Sequence, residues 1–582
     1  MRLAERLSSL VFACVLVLLP RAAFAVVPMF DGNPVVENPS FNGVANTMMY
    51  TVAVTVDSYA ADTDHTGIVG YTDNYTTCAA SPWKWAQPKS FDTTDTRTWT
   101  LYNFEPGTTY HYIVRLGPMG GTTTRMRCGE LTTTAAPTPT LPTNLANLNL
   151  VYDKAGASNP FHSSYILMET DDCGATAMST TNARDYLIVV DPAAEAIVWY
   201  MDLEAQTGMA TASSTGWRYQ PGTTLTSGRI LMTVDKRYLY EWSFDGTRVN
   251  YGDFAPGGEC DGTSGAEGPC IHHDAFKSDV SGNTYVLSSK LDPADGTGTE
   301  WEDNCGTDAR FINDGYQVLN RRYRVTSDQY LMDDYGYDPT VDGGPNAEED
   351  AAERNACDAF TWDHFFDAAW GTIDWTHVNS VALSRFGAME VLELSVKGWD
   401  EVIRLNPATG ARIWTLSSHA DLSDWGALQI ATGITGEAAF GDQHDAHAVS
   451  STALMMFDNL GDPVGSRALR ITMAGRGTSR TATIDRSWAM VDGAGSPLYC
   501  PIEGSAQEIP NTSGANVLGN CNDQYAVAEL SDSTGATGSA PPLVISLPDG
   551  SSEDFCLAGG PSSRVQIRGW HRSYPLSRVG EF

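Results

Sequence analysis

The chain has 582 residues, 71 Asp+Glu against 36 Lys+Arg, a formal net charge of −35, 42% hydrophobic residues and 18% charged ones. That apolar content supports real cores and excludes general disorder, and so acidic a chain repels phosphate backbones, which sets nucleic acid aside as a partner. With 54 Gly, 29 Pro and 15 Trp, the composition favours many short strands and turns over long helices.

Residues 1–25 read as a secretory signal. Arg2 and Arg6 supply positive charge, Leu7–Leu19 is largely apolar, and Ala23-Phe24-Ala25 has the small-x-small form of a cleavage site. The apolar run is short for a membrane span, and no other stretch approaches the ~20 apolar residues such a span needs. Val11-Phe12-Ala13-Cys14 only loosely resembles a lipidation box, because little apolar sequence precedes it, so lipid anchoring is the lesser reading. The expected location is exported, either periplasmic or extracellular.

Cys14 leaves with the signal, and the even set that remains of the 11 Cys suggests disulfides in an oxidising compartment. Local pairing gives Cys78–Cys128, Cys260–Cys270, Cys305–Cys357 and Cys500–Cys521. Cys173 and Cys556 are left to pair across the length of a large domain, which makes sense only if its ends meet. No CxxC spacing is present, so a structural thiolate zinc site is not expected.

Residues 27–133 read as a small β-sandwich. Met49–Val56 and Tyr110–Leu116 have strand composition and partial alternation. Residues 134–145 are a stiff, extended Pro/Thr linker. Residues 146–582 carry a weak repeat in which an apolar strand, a Gly or Asp turn and a second strand, often with Trp, recur. Examples are Val190–Tyr200, Tyr238–Gly246, Val402–Trp414, Ala482–Trp488 and Ala526–Ile545. About six such units in an all-β chain predict a six-bladed β-propeller; two stacked sandwich domains are the alternative. Residues 340–374 interrupt the pattern with Glu348, Glu349, Asp350, Glu353, Asp358, Asp363 and Asp367. Such a stretch is an acidic surface loop, a calcium loop without EF-hand spacing, or a lid.

Five of the 11 His fall in three short segments: Ile271-His272-His273-Asp274, Asp374-Trp375-Thr376-His377-Val378-Asn379-Ser380 and Gln443-His444-Asp445-Ala446-His447. Each precedes a strand-like run, at Thr284–Ser288, Val381–Leu394 and Ala453–Phe457. A propeller gathers such residues at its central channel. Three readings remain open on the residues alone. The histidines bind a metal, with His444 and His447 joined by a distant His; they catalyse directly as nucleophile and acid; or they are buried hydrogen-bonding groups.

The three segments resemble the motifs of the bacterial arylsulfotransferases, the PAPS-independent aryl-sulfate sulfotransferases. Asp374–Ser380 resembles the family's D-W-x-H-x-N-S motif. Gln443–His447 with Met456-Phe457-Asp458-Asn459 resembles its Q-H-D-A-H…F-D-N motif. Gly504-Ser505-Ala506-Gln507 and Tyr574-Pro575-Leu576-Ser577 resemble later segments, and the whole spans about residues 145–582. Phe104–Tyr110 resembles the turn-and-tyrosine segment of fibronectin type III domains. The resemblance implies a six-bladed propeller behind a small β-sandwich, no cofactor, and sulfuryl transfer between phenols through a sulfohistidine. It also implies small-molecule partners: an aryl sulfate donor and a phenol acceptor. By motif, His444 is the nucleophile, and His377 an acid/base and sulfate-binding residue. His273 or His272 completes the His cluster, and Asn379 is a supporting or oxyanion donor. Trp375, Trp399 and Ser505 are substrate-binding candidates, with Phe366 another ring that would stack the phenol; for the aromatics, core packing is the competing role.

One departure stands out. Where the family has Arg in a Ser-x-Arg segment, Ser395-Val396-Lys397 places Lys397, which keeps the charge and loses the bidentate fork. That departure and the acidic insertions favour, as an alternative, a non-catalytic extracellular binding propeller. The second alternative is a metal-dependent hydrolase built on the His cluster. Oligomeric state is left open by the sequence.

Overall fold

In a computed structural model, residues 30, 33–37, 40–41, 44–45, 49–56, 65–72, 75–81, 84–85, 89–91, 96–102, 109–118, 125–132, 139–146, 150–155, 161–162, 165–172, 184–209, 214–220, 229–234, 236–244, 246–254, 269–278, 280–293, 310–335, 372–374, 376–386, 389–418, 428–429, 440–459, 465–475, 481–500, 504–509, 512, 516–521, 526–531, 541–546, 565–566 and 574–576 are described. The signal, the acidic stretch over 340–371, Phe366, Trp375 and the pairings Cys305–Cys357 and Cys173–Cys556 lie outside them. The described chain is all-β, as its composition predicts, and falls into two compact units.

The smaller unit comprises Met1–Glu37, Thr51–Leu101 and Thr109–Thr132. Its strands form a three-stranded sheet, in which Met49–Thr55 lies between Val35–Glu37 and Thr96–Tyr102, and a five-stranded sheet centred on His65–Thr72 and Thr109–Pro118. Val52, Val54 and Val56 are buried while Thr51, Ala53 and Thr55 are only half-buried, the period of two expected of a half-buried strand; in Thr109–Pro118 the consecutive Tyr112, Ile113 and Val114 are all buried. Cys78 and Cys128 are joined, as expected from their local spacing.

Besides the small pair Ser40–Phe41 and Val44–Ala45, the larger unit contains, among the described residues, six sheets built on antiparallel strands that follow one another in sequence; Thr372–Asp374 adds to the third and Leu428–Gln429 to the fourth in parallel. Sheet A holds Tyr165–Asp172, Arg184–Asp191 and Ala196–Asp202. Sheet B holds Ser214–Gln220, Arg229–Val234, Tyr238–Ser243 and Arg248–Asp253. Sheet C holds Cys270–Lys277, Thr284–Pro293, Arg310–Leu319 and Val325–Tyr330. Sheet D holds Val378–Phe386, Met389–Val396, Glu401–Leu405 and Arg412–Ser417. Sheet E holds His444–Ser450, Ala453–Asp458, Arg467–Ala474 and Thr481–Ala489. Sheet F holds Ser505–Glu508, Asn516–Cys521, Ala526–Ser531 and Leu543–Ser546.

Both faces of these sheets are covered, which is why central strands such as Tyr186-Leu187-Ile188-Val189-Val190 are continuous apolar runs instead of alternating ones. Leu187 and Val189 pack with Met232 and Trp242 of sheet B, whereas Ile188 and Val190 pack with Leu518 and Val527 of sheet F. Further clusters join B to C through Leu231 and Val286, C to D through Leu287 and Leu394, D to E through Leu416 and Met456, and E to F through Phe457 and Val517. The cores therefore close a cycle. The chain ends close it as well: Val151–Lys154 pairs with Leu543–Ser546 in sheet F, and Tyr574–Leu576 pairs with Tyr165–Leu167 in sheet A. A pairing of Cys173 with Cys556 would need the ends of this unit to meet; those cysteines lie outside the described residues, and the ends meet by strand pairing. Cys500 and Cys521 are joined, and Cys270 is disulfide-bonded, although its expected partner Cys260 lies outside the described residues.

Candidate active site

The histidine segments occupy the start of the first strand of three successive sheets. The expectation put them just before strands. In fact His272 and His273 lie inside Cys270–Lys277 and His444 and His447 inside His444–Ser450, while His377 immediately precedes Val378–Phe386. The run expected over Val381–Leu394 is a hairpin of two strands, Val378–Phe386 and Met389–Val396. One local feature is common to all three sheets. The pairing register breaks between Ile271 and Ala275, between Val378 and Ser380, and between His444 and His447. At or next to each break a residue other than Gly takes a left-handed backbone: His273 (φ 50°), His377 (φ 43°) and Asp445 (φ 53°). Such bulges re-aim side chains at about 1–3 kcal/mol of strain each, which the surrounding bonds must hold.

Those bonds run from sheet to sheet. The fully buried Asp274 accepts from Arg218 of sheet B (Nε 3.1 Å, Nη2 2.7 Å) and from the backbone N–H of Val381 in sheet D (2.8 Å). Arg218 Nη2 also reaches the Val381 carbonyl at 2.6 Å, so one ion pair fastens three sheets beside His273. Asn379 Nδ2 donates to the Gln443 carbonyl at 2.7 Å. Gln443 Nε2 in turn donates to the carbonyls of Val396 (3.1 Å) and Glu401 (2.9 Å). Asp445 accepts from Gln507 of sheet F at 2.6 Å. The Asn of one motif therefore holds the backbone next to the His of the following one.

His272 and His273 meet edge to face with their Nδ1 atoms 2.5 Å apart, and the His273 and His377 rings lie 5.7 Å apart between centroids. His272 is buried, and its Nε2 meets Ser289 Oγ at 2.7 Å; Ser289 donates to Asp314 Oδ1. The other oxygen of Asp314 accepts from Thr376 Oγ1 (3.0 Å) and from the N–H of Val378 (2.9 Å). His444 is buried too. Its Nδ1 lies 2.9 Å from both the Asp442 carbonyl and Asn459 Oδ1, and Asn459 is oriented by donation from its Nδ2 to the Cys500 carbonyl at 2.7 Å. The Cys500–Cys521 disulfide anchors that carbonyl.

Lys397 is half-buried in the short turn Lys397–Trp399, and its backbone N–H donates to the His377 carbonyl at 3.0 Å. The structure therefore places His272, His273 and His377 together, links His377 to Lys397 through backbone, and links Asn379 to the residue before His444. Trp399 is a correction to the substrate-stacking expectation: it is 2% exposed and part of the apolar cluster between sheets C and D, the core role that competes with stacking. Ser505 is fully buried at the head of sheet F, where Gly504, with φ 127°, lets the backbone approach the Phe457 ring. Trp375 lies outside the described residues. Among the described residues no group of three or more His, Cys, Asp or Glu side chains is placed to hold a metal ion.

Behind the first strand of sheet D, the fully buried Glu393 has its carboxyl pushed up to about 7 by desolvation. Arg404 Nε stands 2.9 Å away and offsets this only in part. Sequence reading passed over Ser289, Asp314, Arg218 and the role of Asn459. The available signal was a polar residue inside an apolar strand, which must find a buried partner.

The family profile for Arylsulfotransferase (ASST) matches residues 151–518, a span containing all three histidine segments and the strands that position them. The chain belongs to the arylsulfotransferase family, which at family level makes it a sulfotransferase enzyme handling small aryl sulfates and phenols. No curated protein matches the chain. Among solved structures, a putative 6-phosphogluconolactonase from Bacteroides uniformis is similar at 11% identity, covering 87% of this chain and 99% of that one with a TM-score of 0.30. A DUF4784 family protein from Bacteroides caccae is similar at 8% identity, covering 92% and 98%, with a TM-score of 0.24. Likenesses this weak carry no argument about the chain.

Proposed function

We propose that this site transfers a sulfuryl group from a phenolic sulfate ester to a phenol by a ping-pong route, with Nε2 of His444 as the nucleophile. One observation carries the reading. Nδ1 of His444 faces two acceptors, the Asp442 carbonyl and Asn459 Oδ1, so the neutral ring keeps its proton on Nδ1 and its lone pair on Nε2. Nε2 bonds to sulfur as the bond from sulfur to the aryl oxygen breaks, and that electron pair leaves on the phenolic oxygen, which takes up a proton. An acceptor phenol then reverses the step, and the electron pair of the N–S bond returns to His444. Negative charge builds on the leaving oxygen, so donors there lower the barrier. His377 is the acid/base in this reading, with His273 and Lys397 as the nearby cationic or donor groups and Asn379 as a support for the His444 backbone.

Three features support the architecture that goes with this reading. The six sheets in cyclic order support a six-bladed β-propeller. The smaller unit, with its three-stranded and five-stranded sheets, supports a fibronectin type III-like sandwich. Two complete disulfides, and the lack among the described residues of any helix long and apolar enough to cross a membrane, are compatible with export.

The test is an assay of the full exported chain with an aryl sulfate and a panel of phenols, beside His444→Ala. Sulfuryl transfer by the wild type, lost in the variant, is the expected result. No transfer to any phenol removes the activity, and equal activity in the variant removes the role of His444.

A further inference from the structure

The proton directions around His272 are determined from one end. The Asp314 carboxylate accepts from Ser289 Oγ at Oδ1 and from Thr376 Oγ1 and the Val378 N–H at Oδ2, and His272 Nε2 itself lies 3.5 Å from Oδ1. With its own proton spent on Asp314, Ser289 Oγ accepts from His272 Nε2–H. A neutral His272 with its proton on Nε2 has only a lone pair on Nδ1, so the short contact between the two Nδ1 atoms is a hydrogen bond donated by His273. Both ring nitrogens of His272 are thereby used inside a buried chain, whereas His273 is half-buried and beside His377.

We propose that Asp314, Ser289 and His272 form a one-way hydrogen-bond relay that keeps a proton on Nδ1 of His273 and makes its Nε2 the nitrogen that serves the anionic oxygens of the substrate. His273 is then the catalytic member of the pair, and His272, Ser289 and Asp314 are positioning residues. The relay also places a buried negative charge three hydrogen bonds from His273. When Nε2 is protonated, the resulting imidazolium is matched by that carboxylate, and Nε2–H donates to a sulfuryl or phenolic oxygen with no bond broken. The chain of bonds explains why two adjacent histidines occur: one works and the other transmits.

The inference rests on the sulfuryl-transfer reading for its purpose but not for its geometry, and Asp314→Asn separates the two. The amide oxygen of Asn would stay with the two donors, Thr376 and Val378, and its NH2 would face Ser289. Ser289 would then donate to His272 Nε2, His272 would donate from Nδ1, and His273 would have to accept at Nδ1. The relay runs backwards, and neutral His273 carries its proton on Nε2.

The probe is 15N NMR of the full chain labelled at histidine, with the His273 signals assigned by a His273→Gln sample. Wild type is expected to show His273 protonated at Nδ1, and Asp314→Asn to show the neutral ring protonated at Nε2 only. Ser289→Ala, which leaves the Asp314 bonds to Thr376 and Val378 intact, cuts the relay and is expected to give a mixture of the two tautomers; it serves if Asp314→Asn does not fold. In the transfer assay, kcat is expected to fall about 10²- to 10⁴-fold in Asp314→Asn with KM within a few-fold, the pattern of a misplaced proton. Wild-type His273 protonated at Nε2 alone, or a tautomer unmoved by either change, overturns the relay. An unchanged kcat overturns its purpose. If the tautomer switches as expected while wild type transfers nothing, the relay holds and the sulfuryl-transfer reading fails.

Discussion

The His272–His273 corner of sheet C and the His444 corner of sheet E are built alike and wired differently. Each sits on a register break in the first strand of its sheet, next to a left-handed residue, and is followed by an aspartate that grips a neighbouring sheet. In sheet C the imidazole chain ends on a carboxylate, Asp314. In sheet E Nδ1 of the imidazole faces neutral acceptors, a backbone carbonyl and the Asn459 amide oxygen. A carboxylate favours the charged ring and a neutral acceptor does not. A nucleophile must keep its lone pair, and a group that meets developing negative charge gains from being cationic. In the sulfuryl-transfer reading proposed above, the two corners would divide the work of the reaction between them, using the same local backbone.

That contrast can be broken from either side. Removing the ring altogether has the largest expected effect: His444→Ala should lower transfer by roughly 10⁴-fold or more, read as product formed per enzyme, because no other group replaces a covalent nucleophile. Converting one corner into the other comes next. Asn459→Asp puts a carboxylate against Nδ1 of His444, which favours the imidazolium, so the rate near neutral pH should drop about 10- to 100-fold and the rising limb of the pH–rate profile should move to higher pH. A profile that moves to lower pH, or not at all, contradicts the assignment of Asn459.

A change behind the site should spare the comparison and touch only the fold. Glu393 has a folded-state value near 7 against an ordinary 4.5. The protonated form is therefore the one the fold prefers. Its contribution is complete below about pH 4.5 and is lost as pH rises through 7, about 3 kcal/mol in all. Glu393→Gln keeps the neutral shape, so it should flatten the fall in stability between those pH values, as measured by denaturant unfolding at each pH. A slope equal to that of wild type would show that Glu393 ionises freely in the fold.

Much of this was legible in the sequence because the information was local. Gln443-His444-Asp445-Ala446-His447 and Thr376-His377-Val378-Asn379 each fit within one turn of backbone, and the apolar strand, turn and Trp units repeat. The all-β class and two disulfides follow from the same kind of local pattern. What stayed hidden comes from elsewhere in the sheets. Ser289 and Asp314 reach His272 from the second and third strands of sheet C, and Asn459 reaches His444 across a hairpin. No spacing rule joins such residues, because strand register decides which of them meet. Trp399 misled for the complementary reason. A large ring beside a charged motif looks like a substrate contact, but burial between two sheets is a property of the assembled core. In sheets C and E the strands also run through the histidine segments, past a left-handed His273 and a left-handed Asp445 that have no mark in residue type.

The most direct test of the central claim is to trap the intermediate. The full chain is mixed with an aryl sulfate in the absence of any phenol acceptor, quenched rapidly under alkaline conditions and digested, and the peptides are weighed. The account predicts one sulfuryl group on the peptide containing His444, formed together with one equivalent of released phenol and discharged when an acceptor phenol is added. Transfer to an acceptor with no adduct at His444 on the timescale of turnover, or an adduct on another histidine, would contradict it.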